Sequence, residues 1–106
     1  MERLDLSLLI TSPDADTISG RATGEKYNTE NNILDKLTDG ETFEIYIDSR
    51  ISAINDSFWK GFFSSIMQKY KSKEKVEKLF KINSSDYFKS SIQKNLQILE
   101  SIIVKS

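Results

Sequence analysis

Residues 57–71 carry Phe58, Trp59, Phe62, Phe63, Ile66, Met67 and Tyr70 at helical spacing. This pattern constrains the fold more than any other stretch. An amphipathic helix buries one stripe against one neighbouring layer. Here Phe58 and Phe62 stand about 100° around the axis from Trp59 and Phe63, so the apolar arc is wide. Asn55, Asp56 and Ser57 are all good N-cap residues and mark where the helix opens. The stripe reads first as core, and an arc this wide also allows one aromatic edge to reach the surface. Such an edge would serve as a partner site or a homodimer seam.

The layer that covers this helix is legible as strands. Phe43, Ile45 and Ile47 alternate with Thr42, Glu44, Tyr46 and Asp48, the two-residue period of a strand with one buried face. A central parallel strand covered on both faces would read as a continuous apolar run. The polar second face therefore predicts helices mainly on one side. Leu4, Leu6, Leu8 and Ile10 alternate with polar residues and predict a first strand over 4–10. Leu79, Phe80 and Ile82 predict a third. Thr17-Ile18 allows a short extra strand, with which the first could pair antiparallel.

Between these lies a weak helical pattern over 21–37, with Tyr27, Ile33 or Leu34, and Leu37 on one face. Its middle (Asn28, Thr29, Asn31, Asn32) is poor in helix formers, so packing must hold it. Asp39-Gly40 stops it. Residues 48–56 read as a connection containing Ile51, Ala53 and Ile54. Residues 71–78 read as a charged, solvated loop around Val76. Asn83-Ser84-Ser85-Asp86 opens a terminal helix with Tyr87 or Phe88, Ile92, Leu96 (or Asn95), Leu99 and Ile103 at helical spacing, and Ile98 and Ile102 broaden the stripe. Strands joined through helices favour a parallel sheet with right-handed crossovers. The expectation is one α/β domain over 1–106, in the order βαβαβα. Its sheet would be small and mainly parallel, of three or four strands, with helices mostly on one face.

Composition bounds the chemistry. At 106 residues, roughly 60–70% of the unfolded surface can be buried, enough for one modest core. Cysteine and histidine are absent. That removes disulfides, thiolate metal sites and the usual general base. No pair of Asp, Glu, Lys or Ser stands at a recognised catalytic spacing, so no enzyme, metal or cofactor is expected. Asp48 with Asp56 is a weak carboxylate dyad, and Glu25 joins them only as a remote metal set. Net charge is −1, too small for a field that draws the chain to nucleic acid or anionic lipid. Lys69, Lys71, Lys73, Lys75 and Lys78 are interleaved with Glu74 and Glu77, without stacking aromatics, which argues against nucleic acid. No apolar run approaches the ~20 residues that span a bilayer, and the N-terminus does not read as a signal peptide. A cytoplasmic protein that does not engage membrane is expected.

Ser19-Gly20-Arg21-Ala22-Thr23-Gly24, the helical segment 31–37, the strand 43–48 and Ile54-Asn55-Asp56-Ser57-Phe58 together resemble the bacterial STAS-like domain of unknown function. The likeness runs from about Leu6 to Tyr70. It implies a STAS-type sheet-and-helix sandwich that acts by binding another protein, through partner switching with a kinase-like ATPase or other signalling protein. In the anti-sigma-factor antagonists, an Asp-Ser pair opens the helix after the central strand, and its serine is phosphorylated. Asp56-Ser57 looks like that pair, although Phe58 and Trp59 replace the small, glycine-containing continuation. Asp56, Ser57, Phe58 and Trp59 are thus the partner-binding or phosphosite candidates. The plain alternative is that Asp56 or Ser57 only caps the helix. Arg21, after Gly20, is a candidate anion ligand at a helix start, or simply the partner of a carboxylate. Small size and slight acidity also fit a second class, an inhibitor or immunity-type protein, phage- or plasmid-borne, that occludes one target enzyme.

Overall fold

A computed structural model describes residues 1–105. The strands are β1 (Glu2–Asp5), β2 (Thr17–Ile18), β3 (Phe43–Tyr46), β4 (Ala53–Ile54) and β5 (Phe80–Asn83). The helices are α1 (Arg21–Glu30), α2 (Ile33–Thr38), α3 (Asp56–Tyr70), α4 (Lys73–Leu79) and α5 (Asp86–Ile103). β1, β3 and β5 form a parallel sheet in chain order, with β3 central. Crossovers of one hand between strands laid down in sequence place their helices on the same side.

The register explains which side. Leu4 lies beside Ile45, and Phe43 beside Phe80. These four are buried against the helices, and the Phe43 and Phe80 rings stack at 5.9 Å. Arg3, Glu44 and Lys81 share one row of the opposite face, and Asp5, Tyr46 and Asn83 the next. There Arg3 Nε donates to Glu44 at 3.0 Å, Asn83 Nδ2 donates to Glu44 at 2.9 Å, and the Arg3 guanidinium lies over the Tyr46 ring. The sheet is therefore one-sided, as the alternation over 42–48 predicts.

Elsewhere local chemistry overrides the pattern. The first strand stops at Asp5, not Ile10. The Asp5 carboxylate accepts from the Ser7 N–H at 3.0 Å and from Ser7 Oγ at 2.7 Å, turning Leu6–Leu9 into a 3-10 helix. Leu6 stays in the core while Leu8 is 77% exposed. Thr17-Ile18 does form a strand, but it pairs parallel with Ala53-Ile54 in a second small sheet, not antiparallel with the first. The helix expected over 21–37 is two helices, broken where Asn32 adopts a left-handed φ of 52°. Residues 71–78 are not a solvated loop. Ser72 caps α4 by accepting from the Lys75 N–H. Lys73–Glu77 and Glu74–Lys78 pairs lace its exposed side, while Val76 is fully buried.

The closest packing is where α1 crosses α3. A Cβ on Gly24 would stand 2.1 Å from the Phe58 carbonyl oxygen, and one on Gly61 would stand 2.0 Å from the Arg21 carbonyl oxygen. Only glycine permits such an approach at either position. Buried Asn28 donates from Nδ2 to the Phe62 carbonyl at 2.7 Å. The Tyr27 ring lies 6.3 Å from that of Phe58 and 6.0 Å from that of Phe62. α1 thus covers the half of the aromatic arc that the sheet does not reach. Gly61→Ala is expected to lower the free energy of unfolding by roughly 3 kcal/mol, measured by urea denaturation. A loss below about 0.5 kcal/mol would contradict the close crossing.

Candidate functional site

The start of α3 is built from Asn55. Its Oδ1 accepts from the Phe58 N–H at 3.0 Å, the N-cap bond, and from the Gly20 N–H at 3.2 Å. One side chain therefore caps α3 and ties it to the residue that opens α1. Asp56 and Ser57 are the first two helical residues and neither is the cap. Ser57 is exposed, and its hydroxyl has no hydrogen-bond partner among the described residues. Arg21 lies at the neighbouring helix start, where its Nε pairs with Glu25 at 3.4 Å along α1. The structure thus gathers Arg21, Asp56 and Ser57 around Asn55, with the Arg21 charge already engaged.

Asp56 is a clamp between helices. Asn95 Nδ2 donates to one carboxylate oxygen at 3.0 Å, and Lys94 Nζ donates to the other at 3.1 Å. The Asn95 bond first, and the Lys94 bond next, hold its carboxyl below the usual carboxylate range. Asn95 is fully buried and spends both Nδ2 hydrogens, the second on the Ser91 carbonyl at 2.8 Å. Flipping its amide would lose both bonds. Its Oδ1 and the Trp59 Nε1 are buried without hydrogen-bond partners among the described residues.

Phe58 and Trp59 are both 0% exposed, so the stripe is core at this point and the two are corrected as partner-binding candidates. Tyr27 covers Phe58 from α1. Trp59 packs edge-on to Phe58 at 5.1 Å and lies 5.9 Å from Phe63. Both residues support the helix start from beneath and present nothing to a partner. Asp48, Asp56 and Glu25 are not brought together. Asp48 is occupied locally by the Arg50 N–H at 2.9 Å, and no metal-holding cluster of three or more acidic side chains occurs among the described residues. No helix is long and apolar enough to cross a membrane.

A feature that sequence reasoning missed lies between α4 and α5, alongside β5. α4, β5 and α5 enclose a groove of about 290 Å³. Its floor is apolar: Val76, Phe80, Ile82, Ile92 and Leu96. Its rim carries Glu77, Lys89 and Gln93. It opens alongside β5, the last strand of the sheet. Ile82 is only half-buried there, whereas its register partner Ile45 is fully buried. The Ile47 N–H donates to the Asn83 carbonyl at 3.1 Å. This turns the backbone groups of Asn83 and Lys81 toward β3 and those of Ile82 away, to the open edge. The sequence carried two traces of this groove: Phe80 and Ile82 flanking Lys81 at period two, and Val76 among charges with an i,i+4 Glu–Lys pattern.

Two measurements separate the roles at the start of α3. Asn55→Ala is expected to cost roughly 1–2 kcal/mol of stability, and Ser57→Ala less than about 0.5 kcal/mol; the reverse order would restore Ser57 as the cap. The folded Asp56 carboxyl titrates below its unfolded value of about 3.9, so its contribution is complete above that pH and is lost as pH falls through the folded value. Wild type should therefore exceed Asp56→Asn in urea midpoint at pH 7, with the gap closing below about pH 4. A gap unchanged with pH would contradict the clamp. No family model, curated protein or solved structure matches the chain.

Proposed function

We propose that the chain is a non-catalytic, STAS-like regulatory module that works by binding another protein. The groove beside β5 carries this reading. An apolar concavity next to an unpaired strand edge offers the two features by which domains take up segments of other proteins, pockets for side chains and main-chain hydrogen bonds. The floor is formed by side chains that the fold needs in any case, so the surface costs no separate scaffold.

Ser57 is the control point in this proposal. It is exposed in the first turn of a fifteen-residue helix, where the dipole and free N–H groups favour added negative charge. Lys60 and Lys94 both act on the neighbouring Asp56 carboxylate. A phosphate on Ser57 would compete with Asp56 for Lys94. Lys94 and Asn95 lie between Gln93 and Leu96, which line the groove. Charge at Ser57 would thus disturb the α5 turn that shapes the binding surface.

The test is affinity capture from the native host with wild type and Ser57→Asp. Wild type is expected to retain a partner that Ser57→Asp retains several-fold less. Equal recovery removes the switch, and no partner for wild type removes the module.

A further inference from the structure

We infer that the groove beside β5 receives an extended, acidic segment of a partner protein, which adds to the sheet as a fourth strand next to β5. This rests on the protein-binding reading above and goes further by naming the surface, the binding mode and the chemistry of the segment. Three observations lead to it.

The first is the open edge. The register with β3 leaves the Ile82 N–H and C=O directed away from the sheet, and an added strand would pair with them. The second is the position of the groove. Phe80 and Ile82 point to the helical side of the sheet and form part of the groove floor. A strand lying beside β5 would send every second side chain to that same side. Its apolar residues would cover half-buried Ile82 at the groove mouth, above the buried Phe80, Val76, Ile92 and Leu96.

The third is charge. Residues 69–94 contain eight lysines and three carboxylates, a net of +5, whereas residues 1–68 contain six cationic side chains and twelve carboxylates, a net of −6. The near-neutral total hides a long acidic stretch and a short basic one. Around the groove, Glu77 is engaged by Lys73 and Glu74 by Lys78. Lys89 on the rim has no ion-pair partner among the described residues. Lys81 faces Glu44, which Arg3 and Asn83 already engage. Lys89 on the groove rim and Lys81 on the polar face of the same edge strand favour a segment whose apolar residues alternate with acidic ones.

The same charges argue against a second copy of this chain. A two-fold pairing through β5 would bring Lys81 and Lys89 of each copy toward their own counterparts, and like charges across strands are destabilising. Docking the acidic half of one copy on the basic edge of the next would not close. Lysine on an edge strand is also a known guard against self-pairing.

The experiment uses the whole chain and two fluorescein-labelled octapeptides, one alternating valine with glutamate and the other valine with lysine. By fluorescence anisotropy, the glutamate peptide is expected to bind at least about tenfold more tightly than the lysine peptide, and less tightly as salt is raised. Lys89→Glu should reverse the preference. Gln93→Trp, placed on the rim to fill the groove mouth, should abolish binding with the circular dichroism spectrum unchanged. Amide exchange at Ile82 should slow on binding. Failure of both peptides to bind, equal binding, or binding that leaves the Ile82 amide unchanged would overturn the inference. So would a concentration-dependent dimer of the free chain with Ile82 already protected. The broader reading is scored separately: a native partner captured equally by wild type and Lys89→Glu keeps the binding module and removes this groove from it.

Discussion

The rest of the structure depends on the glycine-mediated crossing of α1 and α3. α3 carries apolar residues over an arc too wide for one layer to bury, and the sheet reaches only part of it. Gly24 and Gly61 remove the side chains that would hold the helices apart. Backbone then meets backbone, and Asn28 can donate to the Phe62 carbonyl across the contact. α1 gains from packing what it lacks in intrinsic propensity, since Gly24, Asn28 and Thr29 are weak helix formers. The crossing also sets the loops. With the helices this close, Asn55 can cap α3 and hold Gly20 with one oxygen.

Once α1 and α3 are locked over one face of the sheet, its other face and the edges of β1 and β5 are left without a covering strand or layer, and the polar face and the β5 edge differ in kind. The uncovered sheet face has polar groups that satisfy one another: Arg3, Glu44, Tyr46 and Asn83 form a connected set. Each exposed pair there contributes at most about 1 kcal/mol, and the face is at ease in water. The β5 edge is different. Its backbone groups lack a neighbouring strand, and the side chains beside it lie over an apolar trough. Burying apolar area is worth about 25 cal/mol per Å², so this edge has more to gain from a partner than the polar face does. Asp56 links the start of α3 to the groove through Lys94 and Asn95, because α5 carries both the clamp and one wall of the groove.

The sequence was most legible where one local pattern decided the outcome. β3 and α3 are found from periodicity alone, and α5 from its stripe and the run of cap-type residues before it, although Ser85 at the N-cap makes no side-chain cap bond. Legibility failed where a side chain competed with the pattern. Asp5 ended the first strand by bonding Ser7, although the leucine alternation continued past it. Asn32 broke a helix by taking a left-handed backbone that only a tertiary context selects. β4 has two residues, too few for any period. α4 was hidden because six of its seven residues are charged or half-exposed, and only Val76 faces the core. At the candidate site, Asn55, Asp56 and Ser57 are equivalent as capping types, and only the Gly20 contact and the α5 clamp assign them distinct roles. Phe58 and Trp59 could not be placed from α3 alone, because α1, a weak helix by sequence, supplies the missing cover.

The central claim is that β5 is an open, hydrogen-bonding edge beside an apolar groove in the free protein. Native-state amide hydrogen exchange tests it most directly. The Ile45 N–H, in the central strand and fully buried, should exchange only on near-global unfolding. The Ile82 N–H, one strand over in the same register row, should exchange orders of magnitude faster in the free monomer. Equal, slow exchange at both residues would mean that the edge is already covered, and would contradict the account.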